Sequence, residues 1–267
     1  MTDARDEVHP PLFPTREKFD LTFNPRTYLD EYFGELDDED SFALQFMASA
    51  LCGMPKGLLA HEFGGGPTLY SVAALAARAR EIHFSDCVQA NLEQVQRWLN
   101  DEPDAFDWRP YIRLALVAEG ALATPEAVAQ RAADMRRLLT RLMICDAQAS
   151  APLGEIKVQY DLVAAHHCTD VAATNFAEWV QVLRNVSTLI APGGWLLVSV
   201  TTGARLYTVD ESKFHCVDLT PEDMRRGYIA AGYDPGSVHM EAQVAPGERE
   251  YSGVVMAVAR KLDLRGT

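Results

Sequence analysis

Apolar and polar positions alternate with more than one period along this chain, and each change of period marks an element. The first helical pattern runs from Asn24 to Phe33, with Asn24 placed to cap it and Pro25 at its first position. A second helical stretch is predicted from Ser41 to Ala60, with Phe42, Phe46 and Met47 on one face. These two helices form a cap over residues 21–57, ahead of a core that begins near Leu58. Residues 1–20 are polar and proline-rich and are expected to form a flexible arm.

Shorter apolar runs follow. Leu58–Phe63 predicts a strand, Gly64–Pro67 a turn, Thr68–Arg80 an alanine-rich helix, Glu81–Ser85 a strand and Gln89–Leu99 a helix. Strand, glycine turn, helix and strand in that order imply parallel strands joined by a right-handed crossover. Residues 101–123 carry no clear period. Thr124 then caps a helix running to about Leu142, and Met143–Asp146 has the pattern of a short buried strand. Tyr160–Ala165 predicts a strand, Asn175–Leu189 a helix closed by Ala191-Pro192-Gly193-Gly194, and Trp195–Thr201 a strongly apolar strand. His239–Val244 and Gly253–Arg260 close the sheet as a hairpin. The region from residue 58 to the end is one α/β core, with an insertion at about residues 101–142.

Composition narrows the function. The chain has 267 residues, 48% hydrophobic and 23% charged, enough to bury a core without covalent staples. Its five cysteines are far apart and include no C-x-x-C pair, which argues against a disulfide framework and a structural zinc site. Reduced thiols, no secretory signal and no membrane-length apolar run predict a cytoplasmic chain. The formal net charge is −14, with no Lys/Arg run longer than a pair. Binding nucleic acid needs a basic footprint, so a polyanionic partner is excluded.

Four segments carry candidate chemistry. Glycines in Glu62-Phe63-Gly64-Gly65-Gly66-Pro67-Thr68 let a nucleotide-like ligand approach the backbone where a strand meets a helix. A dehydrogenase would want G-x-G-x-x-G, which is absent. Asp86 ends the next strand, about 20 residues on, where an acid grips ribose hydroxyls. An exposed turn aspartate would give the same pattern. Asp146 ends another strand, where it serves either adenine or a helix N-cap. His166 and His167 follow the strand from Tyr160, where ligands of open α/β sheets sit. Either histidine can serve as a base, a hydrogen-bond partner or packing; no third ligand stands at metal spacing.

Longer segments are more specific: Phe23-Asn24-Pro25-Arg26-Thr27-Tyr28-Leu29, Gly64-Gly65-Gly66-Pro67-Thr68-Leu69-Tyr70, Asp86 with Asn91, and Glu102-Pro103-Asp104-Ala105-Phe106-Asp107-Trp108. Cys145-Asp146, Leu183-Arg184-Asn185, Pro192-Gly193-Gly194 and Tyr207 add to them. From about residue 20 onward the chain resembles the small-molecule methyltransferases that include nicotinamide, phenylethanolamine and indolethylamine N-methyltransferases. The resemblance implies a Rossmann-like class I methyltransferase fold: a seven-stranded, mostly parallel sheet with an antiparallel last strand and an N-terminal helical cap. It implies S-adenosylmethionine as cofactor, with Tyr28 and Phe33 in a lid and Gly64, Gly65, Gly66, Thr68 and Tyr70 around its methionine part. Asp86 and Asn91 would hold the ribose, Asp146 and Ala147 the adenine, and His166 the sulfonium side. His167, Thr201, Ala204, Tyr207 and Cys216 would line the acceptor pocket. His166, His167 and Tyr28 are the candidate catalytic groups.

Two departures bear on the acceptor. Nicotinamide enzymes place an aspartate where Val200 stands, and a leucine where His167 stands. No acidic clamp for a substrate ammonium is evident. The expected activity is methylation of an aromatic or arylalkyl amine, such as an indolethylamine, on nitrogen. The alternatives are C-methylation of an indole ring carbon in specialised metabolism, which suits histidines without a clamp, and cofactor binding without turnover. A monomer acting on a small aromatic molecule, away from membranes, completes the expectation.

Overall fold

The computed structural model describes residues 23–245 and 250–263; the expected arm at 1–20 lies outside them. The chain opens with α1 (Pro25–Phe33) and α2 (Asp38–Cys52), then β1 (Leu58–Phe63), α3 (Tyr70–Leu75), β2 (Ala79–Asp86) and α4 (Gln89–Leu99). Next come α5 (Arg109–Ala118), α6 (Pro125–Leu138), β3 (Leu139–Ile144), β4 (Tyr160–His166), α7 (Phe176–Ser187) and β5 (Ile190–Thr202). A small hairpin of β6 (Leu206–Val209) and β7 (Ser212–His215) precedes α8 (Pro221–Ala230), β8 (His239–Val244) and β9 (Gly253–Arg260).

Seven strands form one sheet in the order β3-β2-β1-β4-β5-β9-β8, and β9 alone runs against the others. Strand alternation explains its two buried faces. On β9, Val254, Met256 and Val258 enter one core with α2, α5 and α6, while Val255, Ala257 and Ala259 enter a second core with α7 and α8. Leu197 of β5 faces the first core and its neighbours Leu196 and Val198 the second. The result is a sheet between two helical layers, the Rossmann-like architecture expected. The chain leaves β1 toward β2 and leaves β4 toward β5 in the opposite direction, so the loops after β1 and β4 splay apart and open a crevice between them.

Several predicted boundaries move. The second helix starts at Asp38 rather than Ser41, because Asp37 and Asp40 form a reciprocal capping box. It ends at Cys52 rather than Ala60; Pro55 breaks the pattern and Gly57 turns at φ +82° into β1. The alanine-rich helix spans only Tyr70–Leu75. A turn at Thr68 delays its start, and Ala79 already pairs with Leu58 in the sheet. The helix after Thr124 stops at Leu138, and its strand begins at once, with Leu139 paired to Ile82. Ala191–Gly194 is not a closing turn but an irregular stretch within β5, where the register on β4 slips between Ile190 and Trp195. The sequence reading missed α5, α8 and the β6–β7 hairpin.

Candidate active site

The crevice between β1 and β4 opens into a cavity of about 530 Å³. On one side, Gly64 and Gly66 adopt φ +65° and +61°, where glycine is favoured. A Cβ on Gly64 would strike the Cys168 thiol at 2.0 Å, and one on Gly65 would meet Phe84 at 2.4 Å. A Cβ on Gly66 would meet nothing within 4 Å, so that backbone faces open space. Asp86 folds beneath this turn. One carboxylate oxygen accepts from the Gly66 N–H (2.8 Å); the other accepts from the Val88 N–H (2.8 Å) and the Asn91 amide (2.9 Å). Asn91 is buried, and its own Oδ1 is left without a partner. Asp146 is exposed and caps the Gln148 N–H at 2.9 Å in a tight turn rather than a helix. A glycine backbone facing open space, a buried acid and an unmatched buried acceptor suit a polar ligand with hydroxyl or amino donors.

The roof comes from α1. Tyr28 stacks on Tyr32 at 5.0 Å and tilts against Phe23 and Phe33 at 5.3 and 5.7 Å. Phe33 in turn stacks on Tyr70 at 5.6 Å and meets Trp108 edge-on at 5.7 Å. The specific Glu102–Trp108 segment thus braces the lid from outside: Trp108 is buried and its loop is tied down by Arg97, which pairs with Glu102 and Asp104. The far end of the roof is the β6–β7 hairpin. There Tyr207 stacks on Phe214 at 5.2 Å, Tyr32 donates to the Thr208 carbonyl at 2.7 Å, and the Asp210 N–H donates to Glu31 at 3.2 Å. Burial pushes the Tyr28 and Tyr207 hydroxyls up, so both stay neutral phenols.

The two histidines differ. His166 is buried, its Nδ1 sits 3.2 Å from the Ser199 hydroxyl, and its Nε2 has no partner. Desolvation, then the neighbouring His167, lowers its pKa to about 3, so it is neutral. His167 is half-buried at φ +47°, with its N–H on the Ser199 carbonyl (3.0 Å). Its pKa also falls through desolvation, but Asp170 pulls it back up. Asp170 was not singled out from the sequence. It is 1% exposed and lines the cavity. Its Oδ2 accepts weakly from the Thr201 N–H and hydroxyl, both at 3.4 Å, while its Oδ1 closes no hydrogen bond. Desolvation raises its pKa, and His167 opposes that rise.

Of the predicted residues, Tyr28, Phe33, Gly64, Gly65, Gly66, Thr68, Tyr70, Asp86, Asn91, Asp146, Ala147, His166, His167, Thr201, Tyr207 and Cys216 all line this cavity. Ala204 does not, because Gly203 turns at φ +73° and anchors its N–H on Asp218 (2.7 Å), carrying the chain away. Val200 is fully buried in the second core, so it leaves no gap in the cavity wall. Asp170 adds to the cavity wall a carboxylate, from the loop after β4, that the sequence pattern did not single out. Among the described residues no three His, Cys, Asp or Glu side chains group to hold a metal, and no helix is long and apolar enough to cross a membrane.

The sequence pattern of the NNMT/PNMT/TEMT family matches residues 12–262. The chain belongs to that family. Human nicotinamide N-methyltransferase is 30% identical over 231 residues, covering 83% of this chain and 86% of the relative. Rabbit (Oryctolagus cuniculus) indolethylamine N-methyltransferase is 29% identical over 262 residues, covering 93% and 97%. In fold, the chain is similar to the magnesium protoporphyrin IX methyltransferase of Synechocystis PCC 6803, solved with bound S-adenosylmethionine. The TM-score is 0.55 at 13% identity, covering 92% of this chain and 95% of that one. This member of the NNMT/PNMT/TEMT family is therefore an S-adenosylmethionine-dependent methyltransferase of the small-molecule type. That donor supplies a methyl group already activated on sulfur. The protein's own work is to hold an acceptor in line and keep water out.

Proposed function

We propose that the chain methylates the side-chain nitrogen of an arylalkyl amine, of the kind named in its indolethylamine N-methyltransferase relatives. The observation that carries this reading is Asp170. Burial to 1% exposure with one oxygen unpartnered destabilises this carboxylate and raises its pKa, against the pull of His167 and nearby backbone N–H groups; a bound cation would offset that cost and keep it ionised. Around it stand Tyr28, Tyr207 and Phe23, whose rings suit an aromatic body, with a quadrupole that also favours a cation. Nicotinamide carries no ammonium and could offer Asp170 only a neutral amide N–H, a weaker match for a buried carboxylate. Ring-carbon methylation drew its support from histidines without a clamp, and Asp170 removes that support.

In this reading Gly64, Gly65, Gly66, Thr68 and Tyr70 hold the methionine part of the donor. Asp86 and Asn91 take the ribose, Asp146 and Ala147 the adenine, and His166 the sulfonium side. Thr201 and Cys216 form the acceptor wall with Asp170. Incubation with S-adenosylmethionine and a panel of tryptamines, tryptophan derivatives, phenylethylamines, nicotinamide and pyridines, read by product mass and NMR, tests it. A methyl on the side-chain nitrogen is expected. A methyl on a ring carbon, or turnover of nicotinamide alone, overturns it.

A further inference from the structure

An alkyl ammonium has no lone pair, so before nitrogen can attack, a proton must leave it inside a closed cavity. We propose that His167, steered by the buried carboxylate of Asp170, is the base that takes that proton. The inference rests on the amine reading above and adds to it the group that makes the amine reactive.

Geometry separates His167 from His166. Consecutive residues of a strand point to opposite faces, yet both rings line the one cavity. The φ of +47° at His167 breaks the alternation at the end of β4. Such a conformation is disfavoured for a side chain of this size by about 1–2 kcal/mol and persists where the surroundings impose it. His166 is occupied with Ser199 and leans on Tyr70 at 5.6 Å, on the donor's side. Among the described residues, the His167 ring has no hydrogen-bond partner. The titratable groups that share its cavity are His166 on β4, Asp170 and Cys168 in its own loop, Tyr28 on α1, Tyr207 on β6, Cys216 after β7, and Tyr70, Asp86, Cys87, Cys145 and Asp146 across the donor half. Burial keeps the phenols and the Cys145, Cys168 and Cys216 thiols protonated and His166 neutral; of the acids in the cavity, Asp170, three residues on in the same loop, is the one whose charge pulls on His167.

Asp170 holds R–NH3+. One N–H bond breaks and its proton passes to a free ring nitrogen of His167, giving R–NH2 and an imidazolium. The pair on nitrogen then takes the methyl group, an N–C bond forming as the donor's S–C bond breaks. The methylated amine leaves as a cation, and the imidazolium returns its proton to water when the lid opens.

The test uses His167→Asn, since asparagine tolerates positive φ and so spares the turn, with tryptamine and pyridine as acceptors. Pyridine nitrogen is unprotonated at neutral pH and needs no base. Wild-type kcat on tryptamine should be level above the titration of His167 and fall below it. In His167→Asn it should drop about 100-fold at pH 7, in the range of general-base contributions, and climb roughly tenfold per pH unit toward alkaline pH. The loss on pyridine should be at least about tenfold smaller. An NMR titration of histidine ring carbons in the donor-free protein gives an independent reading: Asp170→Asn should lower the His167 pKa further. Equal losses on both acceptors with an unchanged pH profile, or a His167 pKa indifferent to Asp170→Asn, overturn the base while leaving the amine reading standing. Failure to turn over any amine overturns both.

Discussion

The two halves of the cavity are built in opposite ways. In the half proposed to hold the donor, polar contacts close within short stretches: Asp86 binds the backbone of Gly66 and Val88 and the side chain of Asn91, all from one strand–turn–helix unit and its successor. In the half proposed to hold the acceptor, Phe23, Tyr28, His167, Asp170, Thr201, Tyr207 and Cys216 arrive from five separated segments, and Asp170 Oδ1 is left unsatisfied. An invariant ligand can be met by local backbone geometry. A selective acceptor pocket is an assembly of distant parts, held open at an energetic cost that its ligand offsets.

The largest effect that would sharpen this contrast is in the donor half. Asp86→Ala removes the acceptor for three N–H groups at once. Affinity for S-adenosylhomocysteine, measured by calorimetry, should fall on the order of 100-fold or more. An unchanged affinity would break the comparison. Next, Asp170→Asn should cost about 30-fold in kcat/KM for tryptamine, the loss of one buried charge contact, while leaving S-adenosylhomocysteine affinity within about twofold.

The same substitution has a second consequence of opposite sign. Burial raises the Asp170 pKa above its ordinary 3.8, so folding favours the protonated acid. The penalty is absent in acid and grows as pH rises through the folded pKa. Asp170→Asn should therefore raise Tm at pH 8, by about 1–4 °C, and leave it unchanged near pH 3. Binding capacity in the acceptor half is thus held at the expense of stability.

The smallest effect compares a histidine of the site with one of the core. His166 and His61 are both buried neutral, each with a pKa lowered from 6.5 to about 3 by desolvation. For a lowered histidine, stability is full above the unfolded value and is lost as pH falls below it. Urea titrations should show each contributing a loss of about 2 kcal/mol between pH 7 and pH 5. Filling the cavity with a donor analogue should leave the His61 share unchanged, because His61 is held by Ser85 and Tyr160 inside the sheet.

Much of this was legible in the sequence where the cause is local. Asn24 caps the Arg26 and Thr27 N–H groups as its position before Pro25 predicts, and the helix Gln89–Leu99 matches its pattern residue for residue. The glycine turn and Asp86 were legible for the same reason. Asp170 was not. It stands four residues beyond β4 in a polar loop, and its burial is decided by Thr201 on β5 and by the Val217 N–H, which binds its backbone carbonyl at 3.0 Å. Ala204 lies off the cavity wall because a contact 15 residues away, between Gly203 and Asp218, sets the direction of the chain. The β6–β7 hairpin, only four residues a side, is too short to give a period.

The roof is shared. Tyr28 and Phe33 cover a single cavity whose walls carry both the donor and the acceptor residues, and α1 is latched to the hairpin through Tyr32 and Glu31. On the proposed assignment, spent donor and methylated product would leave by the same opening, and a fresh donor would not enter beneath a product that stays, so each opening of the roof would deliver one methyl group. A primary amine should then accumulate as its monomethyl derivative before any dimethyl product forms, a count set by the roof rather than by the chemistry of nitrogen.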